Sequence, residues 1–520
     1  MTLIQSPIGS AGHSLALTLR EAKLKGHRHI SIPKDTYHVY SDEAAVAVAC
    51  VSNHGHNGYK SAAMVIEDFD GLTVDGNGSK FILHGCMDFA IIKNSKSVTI
   101  KNLTVTCADS CNFQGKVTRS DGNCVTVELQ SPPPLLLHGD LLCQNIEHTL
   151  EPMGRTINYN TDTGEIRKGT GDENFGVPFQ SLKKELDGNT LRIYDAPVMP
   201  PVNDTVVFTM SRRCNQAFLM SNSTDTTIEN VTVNTCWGMA FIAQKCTNVT
   251  IRLCSVTPEK GRFWSAGQDA THFVNCRGTV RIEDCLFENQ LDDSVNLHGT
   301  YTVIEKVSKN KLLLRYGHYQ TRGIDVYGIG DVIQIQKRDT QQPVGAATVT
   351  EVDVLNPDLT LITLSDIQGQ IEEGMIVENL SDEADAIIKN NVIRNNRARG
   401  MLIATKGKIE IIGNRYHCAG AAIQFESDPI KWLECGGVKD VVIENNLFDD
   451  CRHGAWGSAV IDICPRVATA EGFFYHEKIT VRNNKFTQKD VPCVNVNSVH
   501  ELIFSDNEYV CDQPIISTGK

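Results

Sequence analysis

Ile443-Glu444-Asn445-Asn446 is one instance of a phrase that recurs along the chain and decides its architecture. An apolar residue, a polar residue and then Asn or another turn former appear again as Ile100-Lys101-Asn102, Ile228-Glu229-Asn230, Ile251-Arg252-Leu253 and Ile282-Glu283-Asp284. They return as Ile388-Lys389-Asn390-Asn391, Ile411-Ile412-Gly413-Asn414, Val481-Arg482-Asn483-Asn484 and Phe504-Ser505-Asp506-Asn507. The steps from 228 to 251, 388 to 411 and 481 to 504 are each 23 residues, and others stretch to 31 or 32, as loops of variable length on a fixed coil would do. Short strands such as Val249-Thr250-Ile251-Arg252 with turn formers at the bends predict an all-β fold, a parallel β-helix whose coils bury their inner faces only by stacking. A leucine-rich horseshoe needs regular Leu positions, which this sequence lacks.

Composition agrees with a large globular chain: 520 residues, 41% hydrophobic and 21% charged, enough apolar surface to build a core. The formal charge of −13 without a Lys/Arg block argues against nucleic acid or an anionic membrane as partner, since both require a basic surface. A neutral glycan is compatible with it. No apolar run reaches the roughly 18 residues of a membrane helix. Met1 to Ser10 lacks the basic start and apolar run of a leader. The 18 cysteines show no zinc-type CxxC pair and read as buried free thiols, with Cys254 and Cys285 each three residues after the reference Ile of their coils. Both features lead to the expectation of a cytoplasmic protein; a chain that had been trimmed would instead be secreted.

Ser14 to Leu24 is amphipathic and ends at Gly26, which predicts a helix capping the open end of the solenoid. The coil phrase lapses twice, where strand pairs with turn signals take over, as in Cys124-Val125-Thr126-Val127-Glu128-Leu129 and Lys311-Leu312-Leu313-Leu314-Arg315. The expected organisation is therefore a cap with first coils (1–111), an inserted β domain (112–213), coils (214–300), a second inserted β domain (301–379) and final coils (380–520). Each insert is expected to be a small β-barrel or sandwich, placed over a binding face or between copies in a homo-oligomer.

Functional residue types concentrate between the inserts, in Gln268-Asp269-Ala270-Thr271-His272 and Asn289-Gln290-Leu291-Asp292-Asp293-Ser294-Val295-Asn296-Leu297-His298-Gly299. Asp269 and Asp292 are 23 residues apart, one coil, so the repeat sets them on neighbouring strands about 4.8 Å apart, with Asp293 beside them. Converging carboxylates raise one another's pKa, which suits a glycosidase needing one protonated and one ionised carboxyl group. If the reaction inverts, room for a water demands a separation of roughly 6.5–9.5 Å. Solvated acids, Asp turn caps and calcium ligation are the alternatives, although no DxDxDG-type loop is present.

The run Asp269-Ala270-Thr271-His272, then Arg277-Gly278, then Gln290 to Tyr301 resembles the signature of glycoside hydrolase family 110. That resemblance implies an inverting α-1,3-galactosidase of the type that removes terminal galactose from the blood-group B antigen or from linear α-1,3-galactosides. It also implies a right-handed parallel β-helix carrying inserted barrels, and no cofactor or metal. Carried over, Asp269 is the expected general acid and Asp292 with Asp293 the base pair. His272, Asn296 and His298 are candidates for sugar hydroxyls or for ordering the carboxylates. A second cluster, Lys406, Glu426, Trp432 and Glu434, suits galactose, whose apolar ring face stacks on an indole while polar groups take its hydroxyls. Trp237, Trp264 and Trp456 read as packing residues.

Two other readings compete. A polygalacturonase-like hydrolase would carry an Asn-Thr-Asp motif on a central coil, but Asn160-Thr161-Asp162 lies in the first insert. A non-catalytic glycan-binding β-helix would need the trio only as surface charge.

Overall fold

The computed structural model describes residues 1–518 apart from 56, 110, 147–148 and 469. A system of nineteen strands, all paired in parallel, and a second of thirteen form the walls of a right-handed β-helix. One coil comprises Thr247–Arg252, Ser255–Val256 and Thr271–Val274, and the next stacks Arg277–Glu283, Leu286–Glu288 and Val295–Thr300 upon it. The reference residues are in register throughout: Ile100, Ile228, Ile251, Ile282, Ile388, Ile411, Ile443, Val481 and Phe504 pair successively.

The two positions after each polar residue explain the phrase. The first is a left-handed bend, with φ of 57° at Asn102 and Asn390, 56° at Asn445 and 55° at Asn483, a conformation that Asn and Asp tolerate because their short polar side chains bond locally. The second points inward as a ladder. The Asn414 amide donates to the carbonyl of Ile388 and to Oδ1 of Asn446, both interactions lying between 2.9 and 3.1 Å, and Asn446, Asn484 and Asn507 repeat the pattern. Cys254 and Cys285 hold the upper rungs. Their Sγ atoms face the same acceptors, the carbonyls of Ile228 and Ile251, so a thiol serves where one donor suffices.

The helix Ala11–Lys25 starts at Ser10, whose hydroxyl accepts from the His13 N–H, and stops at Gly26 in the left-handed conformation (φ 66°). Leu15, Leu19 and Ala22 bury its inner face against the first coils. Between Phe113 and Met210 runs an eight-stranded antiparallel sheet. It is not closed by hydrogen bonds, but its end strands Leu135–His138 and Lys184–Asp187 meet, so that it rolls around Phe113, Phe175, Phe179 and Phe208. From Thr302 to Asn379 six antiparallel strands form a closed barrel. Arg277, which the sequence groups with the aspartates, docks this barrel instead: its guanidinium reaches Asp331 and Asp382 at 2.7 Å each, beside Lys245.

Removing one rung of the ladder leaves buried partners unpaired. Asn414→Ala frees the Asn391 N–H and amide and the Ile388 carbonyl, and is expected to lower the unfolding free energy by about 3 kcal/mol in urea titrations. Asn414→Cys, which imitates the upper rungs, is expected to cost less; equal losses would contradict the rung's donor role.

Candidate active site

On the outer face of the second sheet, Thr271 pairs with Val295 and His272 with Asn296. The local step is thus 24 residues, and Asp269 stands opposite Asp293, not Asp292 as the 23-residue repeat predicts. The left-handed bend at Asn289 (φ 59°) recurs at Asn395 one coil on (φ 57°) and is the regular corner before this strand. The three carboxylates nevertheless converge, with one oxygen of each within 4.8 Å of the others. This is tighter than the roughly 6.5–9.5 Å expected of an acid and base on opposite faces of a sugar. Packing on adjacent coils without outward splay is the reason.

Arginines make this density tolerable. Asp292 accepts from Arg213 at 3.1 Å on Oδ2 and from Arg397 at 3.0 Å on Oδ1. Asp293 takes a bidentate bond from Arg399 (2.9 and 2.7 Å) and a third from the Arg399 backbone N–H. Asp269 has no guanidinium on either oxygen; it faces Nδ1 of His272 at 2.7 Å and accepts from the Asp293 N–H at 3.2 Å. Their acidities diverge accordingly. Burial, then the charge of Asp292, pushes Asp269 up to about 8. Burial also opposes ionisation of Asp292, but Arg397, Arg213, Arg399 and Arg155 together outweigh it and hold that carboxyl below its ordinary value. For Asp293, burial and the two flanking aspartates prevail over Arg399 and raise it to about 7. The trio titrates as a unit with one member biased toward the acid and one toward the anion.

The carboxylates floor a cleft of about 500 Å³. Asn296, Glu426, Trp432 and Glu434 line it as the sequence suggests, together with Arg213, Arg397, Arg399, Asp172 and Trp456. Trp432 packs against His318 of the barrel with the rings tilted by 45° (4.7 Å between centroids), and the Trp456 indole N–H donates to Asp172 of the first insert at 2.9 Å. Both inserts therefore wall the site. Seven acidic and six basic side chains surround the cleft, a balance that suits an uncharged ligand. Four of the six oxygens of the trio are already bonded to guanidinium groups, whose charge repels a further cation, so this is a poor metal site despite its three carboxylates.

Three expected contacts are not made. His272 and His298 are buried beneath Asp269, at 0% and 2% exposure, and do not reach the cleft. Lys406 lies past the end of its strand, its ammonium held by Glu378 at 2.6 Å and by Glu383. Trp456, read as packing, borders the cleft, whereas Trp237 and Trp264 are buried. The sequence does not reveal Arg397 and Arg399 because the barrel hides their register: Val295 pairs with Met401, which sets Arg399 over Asp293 across 106 residues of sequence, while Arg213 reaches Asp292 from the end of the first insert, 79 residues away.

Fold and site together define a right-handed β-helix protein with a charge-balanced, tryptophan-flanked carboxylate cleft. Residues 352–509 match the family described as right handed beta helix region, and residues 311–374 the GLAA-B beta-barrel domain II. The chain is 28% identical to alpha-1,3-galactosidase B of Akkermansia muciniphila over 98% of its own length and 65% of that protein's. It is 29% identical to alpha-1,3-galactosidase B of Bacteroides thetaiotaomicron over 92% of this chain and 80% of that one. Among solved structures, an exopolygalacturonase from Thermotoga maritima superposes with a TM-score of 0.43 at 8% identity, covering 96% of this chain and 89% of that chain.

Arg399→Ala removes the guanidinium that offsets the burial of Asp293, so this carboxyl is expected to be protonated near neutral pH, and an unfolding titration is expected to show a loss of about 1–3 kcal/mol that grows as pH rises. Arg399→Lys should recover little of it, because a lysine cannot reproduce the bidentate fork. Full recovery by lysine would show that charge alone is enough.

Proposed function

We propose that this chain is an exo-acting glycoside hydrolase that removes terminal α-1,3-linked galactose from glycans, of the blood-group B type or linear. The observation that carries the reading is the divergence within the trio: a carboxyl group raised to about 8 lies within 4.8 Å of one held below its ordinary value, in an open cleft. The names of the similar galactosidases support the choice of sugar, and Trp432 and Trp456 offer indole faces for its apolar side. Asp269 protonates the glycosidic oxygen as the bond to the anomeric carbon breaks. Asp292 or Asp293 takes a proton from the water that attacks that carbon.

We infer inversion. Both oxygens of Asp292 and both of Asp293 are anchored by arginine, which leaves lone pairs to accept a proton but disfavours covalent attack. Retention is the second reading, favoured by the 4.8 Å spacing, which falls near the roughly 5–5.5 Å of enzymes with a carboxylate nucleophile. Proton NMR of the first product decides between them: inversion releases β-galactose from an α-1,3-galactoside, and initial α-galactose would establish retention. We also propose a reducing compartment such as the cytoplasm, since fourteen of the cysteines are buried as thiols.

A hydrolysis screen with blood-group B trisaccharide, linear α-1,3-galactobiose and polygalacturonate tests the function. Galactose release is expected from at least one of the first two. Activity on polygalacturonate alone would overturn the assignment, and no activity on any glycoside would favour a binding role. Asp269→Asn and Asp292→Asn are each expected to lower kcat by about 10²–10⁴. The acid must be protonated and the base ionised, so kcat/KM should fall as pH rises through about 8, and should fall on the acid side below the ordinary carboxylate range if Asp292 is the base or through about 7 if Asp293 is.

A further inference from the structure

The chemistry proposed above needs Asp269 to carry a proton near neutral pH, and its burial is only one of the features that favour this. Behind it runs a buried chain of contacts: Asp269 Oδ2 to His272 Nδ1 at 2.7 Å, His272 Nε2 to His298 Nε2 at 3.1 Å, and His298 Nδ1 to the Gly299 carbonyl oxygen at 2.7 Å. The carbonyl can only accept, so Nδ1 of His298 bears a hydrogen. With that ring neutral, its Nε2 is a lone pair, and the 3.1 Å contact requires the hydrogen on Nε2 of His272. Burial, followed by the nearby His298, pushes His272 well below the usual imidazole range, so it too is neutral and turns the lone pair of Nδ1 toward Asp269. Only a proton on the carboxyl group then makes the last bond.

We propose that the Gly299 carbonyl, acting through His298 and His272, fixes both imidazole tautomers and thereby holds Asp269 as a carboxylic acid in the resting protein. His272 and His298 are thus positioning residues, not sugar ligands, and the inference rests on Asp269 being the acid. The same three protons have two other arrangements: one doubly protonates His272 beside an ionised Asp269, which the burial of His272 and the nearby His298 oppose, and the other has Asp269 ionised, hydrogen on His272 Nδ1 and His298 doubly protonated. That form sets a cation 3.6 Å from Glu434, whose Oε1 already accepts from Asn53. When Asp269 gives its proton to the glycosidic oxygen, two lone pairs are left facing each other somewhere in the chain, and one proton must return to Asp269. The proton taken from water by the base supplies it, so the cycle balances.

Several charges face this chain from other elements. Asp292 and Asp293 approach from the next coil, Arg213 from the end of the first insert, Arg399 from the coil after the barrel, and Glu434 from the loop that follows. His54 approaches His272 from the N-terminal coils. The acidic neighbours raise Asp269 and the arginines lower it; burial already favours the acid, and the imidazole chain adds a hydrogen bond that only the acid can make.

Nitrogen-15 NMR of imidazole-labelled, unliganded protein reads the tautomers without turnover, with His272→Gln and His298→Gln supplying the assignments. The expected result at neutral pH is hydrogen on Nε2 alone for His272 and on Nδ1 alone for His298. Hydrogen on Nδ1 of His272, or a doubly protonated His298, overturns the proposal. His298→Leu frees His272 to donate to an ionised Asp269, and the alkaline limb of kcat/KM should move down by about one pH unit, the scale of one hydrogen bond to a charged group. A limb that stays in place while activity falls also overturns it. If the wild type releases no galactose, the proposed function fails, and the tautomer spectrum still decides this inference by itself.

Discussion

Everything in this molecule depends on parallel register between successive coils. A coil has no hydrophobic core of its own, so each turn must place its bend, its inward rung and its outward side chains over those of the turn before. The left-handed bend after each polar residue fixes the corner, and the asparagine ladder ties rung to rung with both backbone and side-chain bonds. A shift of one residue would expose the core-facing row and bury the other. The register is therefore fixed energetically, and the outward residues inherit its precision: Asp269 opposite Asp293, Asp293 opposite Arg399, His272 opposite Asn296.

That inherited precision permits a charge density that a flexible loop would not support. Three buried carboxylates within 4.8 Å of one another are destabilising, and a guanidinium held by the next coil offsets the cost only if its geometry is fixed. Arg397 and Arg399 sit on the first turn after the barrel, and Arg213 on the last residues of the first insert. The site is complete only when the coils on either side of both inserts have closed on each other. Unequal sharing of the arginines then differentiates three chemically identical groups: Asp292 receives two partners, Asp293 one bidentate partner, Asp269 an imidazole.

The sequence makes the bends legible because Asn, Asp and Gly at a left-handed position are a backbone requirement, and it makes the aspartates legible because they lie within one coil. It does not reveal Arg397 and Arg399, since the barrel sets neighbours in space more than a hundred positions apart, nor Arg213, which the first insert delivers. Nor does it fix side-chain direction at the ends of strands. His272 and His298 look like ligands in a string of functional residue types, but the burial of the row under Asp269 makes them its support. Lys406 lies one turn beyond the last position where the repeat predicts which way a side chain points, and it closes a barrel contact instead.

The inserts explain how one scaffold can keep its acid–base groups fixed while its cleft varies. Both leave the solenoid at turns, and the strands on either side of each insert pair with each other in the common register. The aspartates ride on the sheet, whereas Asp172, which braces Trp456, comes from the first insert, and His318, which braces Trp432, comes from the barrel. Changes in either insert would reshape the walls that meet a ligand and leave the spacing of the trio untouched. Rigid strands therefore carry the groups whose separations the chemistry cannot relax, and the interruptions carry those on which discrimination between ligands depends.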